Sequence, residues 1–467
     1  MSVSPYATLA ELGAALRKRE VSSLELTRFY LDRLEKHGTT LGAVVTITRE
    51  RAEAEARRAD AEIAKGKWRG PLHGIPYGAK DLLATKGIPT TWGAEPYRGQ
   101  VFDFDAEVVR RLGEAGAVLC AKLAMVELAG GFGYDTADAS FTGPGRSPWN
   151  TGHWSGGSSS GPGAAVSAAL VPFAIGSETS GSIITPCAFS GVTGFRPTYG
   201  IVSRHGAMAL AWTLDKLGPM TRSAADCALV MAVIAGRDPK DESSLSAKLA
   251  WGAKPPRAKR KIGVIKASYE GVQAEVGANF EASMKVLEAL GHELVEIELP
   301  DLPYGQVVST IVDAEGASAF EDLLVSGRAK ELRCAADHIG GFEGAATLAV
   351  DYLRAMRVRR KIRAALVELL TTKVTMLAAP SRATVAPPVD VKFRDAYPGV
   401  RSGPSVIGGM NLAGAPAIAM PNGTGLHGLP TSIQIVGAPL ADRDVIALGE
   451  QLQSTTSFHR RVPPGFE

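Results

Sequence analysis

The stretch LVPFAIGSETSGS, residues 170–182, joins a short apolar run to a polar, glycine-rich turn. The apolar half, Leu170 to Ile175, predicts a buried β-strand, because the run is short and ends in turn residues. The second half, Gly176 to Ser182, predicts a turn, and an Ala-rich helix is predicted just before the strand, over 163–169. A buried strand that delivers a polar loop is the arrangement that a rigid functional site requires.

Two further polar segments precede this stretch. One is SGGSSSG at 155–161, within a region from Tyr134 to Gly163 that has no hydrophobic period and is predicted to be a long loop. The other is GAKD at 78–81, which places Lys80 after a turn-rich stretch, 70–78. Amide hydrolysis needs an activated nucleophile, a base and donors for the oxyanion, and the three segments could jointly supply them. Singly, each is more typical of a surface lysine, a flexible connector or a simple turn.

The rest of the chain alternates helices and strands. Capping boxes at Thr8 to Glu11 and Ser22 to Glu25 predict two amphipathic opening helices. The other predicted helices are a charged one near 49–65, one from Asp105 to Gly116, one at 279–290, a largely helical region at 302–370 and one at 445–452. The other predicted strands are 117–121, 261–265, 293–297, 417–420 and 432–436, of which 261–297 forms a βαβ-like unit.

Composition bounds the function. The 467 residues are 45% hydrophobic, as is usual for a globular protein. The 51 basic and 48 acidic side chains give a net charge of +3, and the one basic block is Lys254 to Lys261. Nucleic acid is therefore not an expected partner. The four cysteines form no CxxC or Cys/His cluster, which predicts reduced, buried thiols and no metal. Without a signal peptide or a membrane-length apolar run, the sequence predicts a cytoplasmic protein that has no membrane contact.

Taken together, the three polar segments resemble one family. A lysine, then GGSS, then a strand leading to G-x-[DE]-T-x-G-S-I, with Ser182 lying 24 residues beyond Ser158, resembles the amidase signature hydrolases. The resemblance extends through GVTGFRPTYG at 191–200, LDKLGPMTR at 214–222, NLAGAPAI at 411–418 and GLPTSIQ at 428–434. It therefore covers most of the chain.

The resemblance implies a fold and its organisation. We expect an α/β protein, with one α/β/α domain over 1–467 built on a large, twisted, mixed sheet covered by helices, and the motif loops gathered at one sheet edge. Within it we expect N-terminal helices at 1–66, a signature core at 67–235, a variable helical pocket segment at about 300–404 that acts as a lid, and a C-terminal core at 405–467.

The resemblance also implies residue roles. Ser182 would be the nucleophile, Ser158, held on a cis peptide, the relay, and Lys80 the base. A lysine base must be neutral, so Lys80 should be inaccessible to water. Ser159 would orient Lys80. The oxyanion would be bound by the backbone N–H groups of Thr179, Ser180, Gly181 and Ser182.

Three positions depart from the family pattern. Glu178 replaces the usual Asp, Ser180 a glycine, and Ile184 the arginine of many members. Loss of that arginine removes a fixed charge beside the nucleophile and predicts an apolar pocket wall. Aromatic and Met side chains of the 300–404 segment are candidates to line it, although residues at helical spacing more often belong to the core; they are Tyr304, Phe320, Phe342, Tyr352 and Met356.

The predicted function is that of a serine hydrolase that cleaves C–N bonds of small amides through an acyl-enzyme on Ser182, without a cofactor. Carbamates (urethanes) and esters need the same acyl chemistry and stay open as substrates, and a homodimer is the family expectation. The alternative is a glutamine-hydrolysing amidotransferase A-type subunit that works with a partner. Ile184 and the balanced charge weigh against it, and the survival of all three triad positions weighs against a catalytically dead binding protein.

Two rival nucleophiles are present. GSSSG at 157–161 matches the GxSxG elbow, with Ser159 as nucleophile. No strand is predicted directly before it, as that elbow requires, and the eight histidines show no partner signature. Cys187 lies five residues beyond Ser182, but nothing near it in sequence would lower its pKa.

Overall fold

The computed structural model describes residues 3–247, 249–251, 258–401 and 406–467. Part of the predicted basic block, including Lys254, and the end of the predicted pocket segment at Pro404 lie outside the described residues. The described chain forms a large mixed sheet surrounded by helices, as predicted. In that part of the chain, no helix is long and apolar enough to cross a membrane.

Eleven strands form the main sheet, in the order β1-β3-β2-β6-β8-β7-β12-β13-β11-β9-β10, and β4 and β5 form a separate two-stranded sheet. Strands β9 and β10 are parallel and are connected through α8, which confirms the predicted βαβ-like unit. The strands are β1 Val44–Ile47, β2 Pro76–Lys80, β3 Val118–Leu123, β4 Arg146–Ser147, β5 Asn150–Trp154, β6 Ala174–Glu178, β7 Thr193–Arg196, β8 Lys216–Thr221, β9 Lys261–Ile265, β10 Glu293–Ile297, β11 Met376–Pro380, β12 Ala417–Thr424 and β13 Pro430–Gly437.

Helices flank the sheet. Both predicted capping boxes are formed: the Thr8 and Ser22 hydroxyls accept from the N–H groups of Glu11 and Glu25, and the two glutamates accept in return. The helices are α1 Leu9–Lys18, α2 Ser23–His37, α3 Arg49–Ala64, α4 Glu107–Glu114, α5 Ser160–Ser167, α6 Ile184–Ser190, α7 Ala224–Ile234, α8 Ala274–Ala289, α9 Tyr304–Ala319, α10 Glu321–Val325, α11 Asp337–Ala345, α12 Ala349–Glu368, α13 Val406–Ala413 and α14 Asp442–Thr455.

Two predicted boundaries around the polar segments are wrong. The region 134–163, predicted to be one loop, contains β4 and β5, and α5 begins at Ser160. The strand predicted at 170–175 lies at 174–178, so Gly176, Ser177 and Glu178 are strand residues. Gly176 is a strand residue because of close packing rather than turn geometry: a Cβ there would lie 2.8 Å from Met220 Sδ and 3.0 Å from Ser159 Oγ, so only glycine fits.

The middle of the sheet gathers the polar segments. Strand β2 runs parallel to β6 and ends at Lys80, and β6 ends at Glu178. Strand β8 is antiparallel to β6 and begins at Lys216, which pairs with Glu178. The carboxyl ends of β2 and β6 and the start of β8 therefore lie at the same edge of the sheet.

Candidate functional site

Lys80 lies at the carboxyl end of β2 and is 0% exposed, as predicted for a lysine that must be neutral. Its Nζ donates to Ser158 Oγ at 2.7 Å and to Ser177 Oγ at 2.9 Å. Burial lowers its pKa from 10.5 to about 7, although the nearby carboxylates of Asp215 and Glu178 oppose that shift. A large fraction of Lys80 is therefore unprotonated near neutral pH, which suits a base.

Ser158 follows a cis peptide bond from Gly157, as the family resemblance implied. The next residue ties this segment to the Ser182 loop, because the Ser159 N–H donates to Ser182 O at 3.3 Å. Ser182 itself is half-buried and lines a cleft. Among the described residues, no hydrogen bond joins the Ser158 and Ser182 hydroxyls; such contacts often form only when substrate is bound.

A buried carboxylate anchors the Ser182 loop. Glu178 Oε2 accepts from the N–H groups of Ile183 and Ile184, at 2.9 and 3.0 Å. Its Oε1 accepts from Arg196 Nη1 at 2.7 Å and from Asn411 Nδ2 at 2.8 Å. These partners outweigh burial and lower the pKa of Glu178 to about 2, so it stays ionised. Glu178 therefore satisfies the backbone behind Ser182, and its departure from Asp leaves the loop intact.

The predicted oxyanion donors are free. Among the described residues, the backbone N–H groups of Thr179, Ser180, Gly181 and Ser182 meet no protein acceptor. Gly181 has a φ of 96°, which favours glycine and turns the backbone here. The Thr179 hydroxyl donates to the buried Asp215 carboxylate at 2.6 Å, which fixes the start of the turn. Unpaired N–H groups in a fixed turn beside a hydroxyl are the features of an oxyanion site.

Ser159 does not contact Lys80 in the way that the sequence predicted. Its hydroxyl donates to Ser177 O at 3.2 Å and accepts from Ser177 N–H at 3.3 Å, and Ser177 is the residue that accepts from Lys80. Ser159 is therefore one residue removed from the amine, and sequence analysis missed Ser177.

The GxSxG rival fails for a reason that the sequence did not give. Strand β5 ends at Trp154, so a strand does lie shortly before the motif. It belongs to the separate two-stranded sheet, however, and Ser159 is fully buried. Cys187 is also fully buried, and burial raises its pKa well above the usual value, so it is a poor nucleophile. All four cysteines are buried and unpaired, as predicted.

Comparison with known proteins shows the family of this chain. The family model described as Amidase matches residues 25–446. This chain belongs to the amidase family. The A-type subunit of glutamyl-tRNA(Gln) amidotransferase is 36% identical in Halorhodospira halophila (98% of this chain, 99% of the relative) and 37% identical in Moorella thermoacetica (98% and 98%). The native peptide amidase from Stenotrophomonas maltophilia superposes with a TM-score of 0.87 at 31% identity, over 99% of each chain.

In this amidase-family chain, Ser182 opens into a cleft of about 730 Å³. Aromatic rings form one wall. Trp154 stacks on Phe393 with ring centroids 4.5 Å apart, Tyr134 meets the Trp154 ring edge-on at 6.1 Å, and Phe189 lies 6.2 Å from Trp154. Tyr397, Val312 and Ile407 add further apolar surface. One wall of the cleft is therefore aromatic, but it does not arise as the sequence predicted: Ile184 is fully buried and does not line the cleft, and two arginines do.

The five side chains predicted to line the pocket do not line this cleft. Tyr304 and Phe320 are buried in the core, and Phe342 is half exposed at the surface. The Tyr352 hydroxyl donates to Glu315 at 2.7 Å, and Met356 packs against the core. Helical spacing placed most of these residues against the core, whereas the cleft is lined by loops together with residues of several helices and strands.

Charge in the cleft is one-sided. Arg382 and Arg394 line it, and within the described residues no Asp or Glu does. Arg382 lies deep among protein atoms, which lowers its pKa, yet its side chain is open to the cleft. Gln434 Nε2 donates to Pro380 O at 3.1 Å, while its Oε1 has no partner there. No three His, Cys, Asp or Glu of the described chain are grouped as a metal would need.

Proposed function

We propose that this chain hydrolyses the C–N bond of an amide through an acyl-enzyme on Ser182. The observation that carries the proposal is Lys80: a buried amine with a pKa of about 7 that donates to Ser158, whose segment is hydrogen-bonded to the Ser182 loop. Burying a lysine lowers the stability of a fold, and a buried lysine whose pKa is lowered to near neutral pH is typical of a catalytic base.

The proposed acylation step moves one proton and one leaving group. Ser182 Oγ attacks the carbonyl carbon while its proton passes to Ser158, whose own hydroxyl proton passes to neutral Lys80. The carbonyl oxygen becomes an oxyanion that accepts from the free N–H groups of the turn, including those of Thr179 and Ser180. When the C–N bond breaks, Lys80 returns the proton through Ser158 to the departing nitrogen.

Deacylation repeats the pathway with water. A water molecule attacks the acyl carbon, its proton passes through Ser158 to Lys80, and the released Ser182 oxygen recovers that proton. The products are a carboxylic acid and an amine or ammonia. Removing one donor of an oxyanion site typically costs a rate factor of about 10²–10³, so we expect the fixed turn to contribute to both steps.

A second candidate is glutamine hydrolysis by an amidotransferase subunit of the A type. The names of the sequence relatives favour it, because relatives that carry this name are 36–37% identical over 98% of this chain. The same chemistry would then release ammonia from glutamine for use by a partner protein. The peptide amidase likeness, over 99% of both chains, supports the free-standing hydrolase.

A substrate panel separates the candidates. We would assay an aryl amide, an aryl ester, an aryl carbamate and glutamine with wild type, Ser182→Ala and Ser159→Ala. The proposal expects Ser182→Ala alone to abolish turnover, with the aryl amide among the substrates; glutamine as the single substrate would select the amidotransferase candidate. Turnover that survives in Ser182→Ala and is lost in Ser159→Ala would refute Ser182 as nucleophile.

A further inference from the structure

Arg382 is a cation without an acidic partner. It is the second residue after β11, which ends at Pro380, and it lines the cleft that contains Ser182. Among the described residues, no Asp or Glu forms an ion pair with it, whereas other buried arginines, such as Arg196 with Glu178, are paired. An aromatic neighbour is Phe189, with the guanidinium carbon 5.9 Å from the ring centroid. The charge is therefore held in place by an aromatic face and left unneutralised.

A guanidinium in such a place prefers an anion. Its planar fork of donors fits a carboxylate with two hydrogen bonds, and a charge-assisted pair is about twice as strong as a neutral one. Arg394 also lines the cleft, but its Nε lies 3.7 Å from Asp395 Oδ2, which offsets part of its charge and leaves Arg382 as the cation of the described lining without an ion pair. None of the described lining residues is an Asp or Glu, and no carboxylate pairs with Arg382 in that part of the chain.

The same lining disfavours a zwitterion. A substrate that carried both a carboxylate and an ammonium would place the ammonium near Arg382 and the aromatic rings, where none of the described lining residues is an Asp or Glu. An ammonium desolvated in this way is costly. A negatively charged substrate with an apolar body fits both features, since the rings of Trp154 and Phe393 cover the body and Arg382 binds the charge.

We propose that Arg382 is the specificity-determining residue of the cleft and selects amides that carry a carboxylate and no ammonium group. This inference rests on the proposed amide hydrolysis at Ser182. It places the carboxylate at the guanidinium and the scissile carbonyl at the Ser182 turn, within one cleft of about 730 Å³.

Three related amides test the proposal. Pentananilide is the neutral parent, glutaranilic acid carries a carboxylate on the acyl side, and 4-(pentanoylamino)benzoate carries one on the leaving-group side. Only one of the two anionic amides places its carboxylate at Arg382. For wild type we expect kcat/KM for that amide to exceed kcat/KM for pentananilide by about 10- to 100-fold, the range of a charge-assisted hydrogen-bonded pair. Arg382→Gln should remove most of that ratio, and Arg382→Lys, which keeps the charge and loses the fork, should retain part of it.

Controls separate this proposal from the proposed function. Arg98→Gln removes the same charge from an exposed ion pair with Glu95 outside the cleft, and should leave the ratio unchanged. Binding of glutaranilic acid to Ser182→Ala, with and without Arg382→Gln, is measured by calorimetry, so the subsite is tested even if no amide is turned over. The proposal is supported if the double variant with Arg382→Gln binds glutaranilic acid with a Kd at least tenfold weaker than that of Ser182→Ala alone. The proposal for Arg382 is overturned if the two Kd values are equal, or if a folded Arg382→Gln variant still prefers the anionic amide. Turnover by Ser182→Ala equal to that of wild type overturns only the proposed function.

Discussion

The pH dependence of turnover follows from the burial of Lys80. The neutral amine is the base, so activity rises as Lys80 loses its proton. With a pKa of about 7, roughly one tenth of the enzyme is active near pH 6 and nine tenths near pH 8. We therefore expect kcat/KM to rise about tenfold between these values and then level off. An ordinary lysine, with a pKa of 10.5, would be less than about one per cent neutral at pH 8, and the rate would still be rising.

The assay is kcat/KM for a neutral aryl amide at constant ionic strength, from roughly pH 5.5 to 9.5. The substrate has no titrating group, so the inflection belongs to the free enzyme. Far-UV circular dichroism at each pH shows that the fold is retained. A profile that is flat from roughly pH 6 to 9, or one that rises without a plateau to pH 9.5, would refute the role of Lys80 as a tuned base.

Three further perturbations have defined outcomes. Glu178→Gln leaves the buried Arg196 without its counter-charge and should lower the free energy of unfolding by about 3–5 kcal/mol in urea titrations, whereas a loss below about 1 kcal/mol would contradict the anchoring role. Burial raises the pKa of Asp226 from 3.8 to about 7, so the protein loses stability as pH rises through that interval. Asp226→Asn should therefore raise the free energy of unfolding by about 2–4 kcal/mol at pH 8 and give no gain below roughly pH 4. An equal gain at the two pH values would contradict the raised pKa of Asp226. Cys187→Ala should keep most of the wild-type kcat/KM, and complete loss in a folded variant would restore the thiol as a candidate nucleophile.

Regular patterns in the sequence predicted the fold well. Apolar runs located β9 and β10, and capping residues located α1 and α2, because these signals are local. The fold was less predictable where glycine and serine dominate: β5 and the true start of α5 are specified by packing against other segments, and composition alone indicated a loop.

The candidate site divides in the same way. Lys80, Ser158 and Ser182 were found from motif order, and the structure buries Lys80 as expected and pairs it with Ser158. The individual residues of the cleft wall were not predicted, although Arg382 and Phe393 lie in the 300–404 segment that was expected to form the pocket. Arg382 is in a loop and Phe393 begins a short 3₁₀-helix, and neither belongs to a periodic pattern. Arg196 and Asn411 lay inside stretches already quoted for the family, yet the contact of Asn411 with Glu178 joins residues more than 200 positions apart and has no local signal.

The anchor of the Ser182 loop also has a consequence for synthesis on the ribosome. Glu178 and Arg196 emerge together, but Asn411 and the Ala415 carbonyl, to which Arg196 also donates, are made roughly 200 residues later. At 5–20 residues per second, that interval is about 10–40 s. During it the nascent chain holds a carboxylate and a guanidinium that lack part of their final hydrogen bonding. The loop that contains Ser182 therefore gains its last hydrogen bonds only after residues 411–415 are translated, and a chain terminated before them would carry the motif without its support.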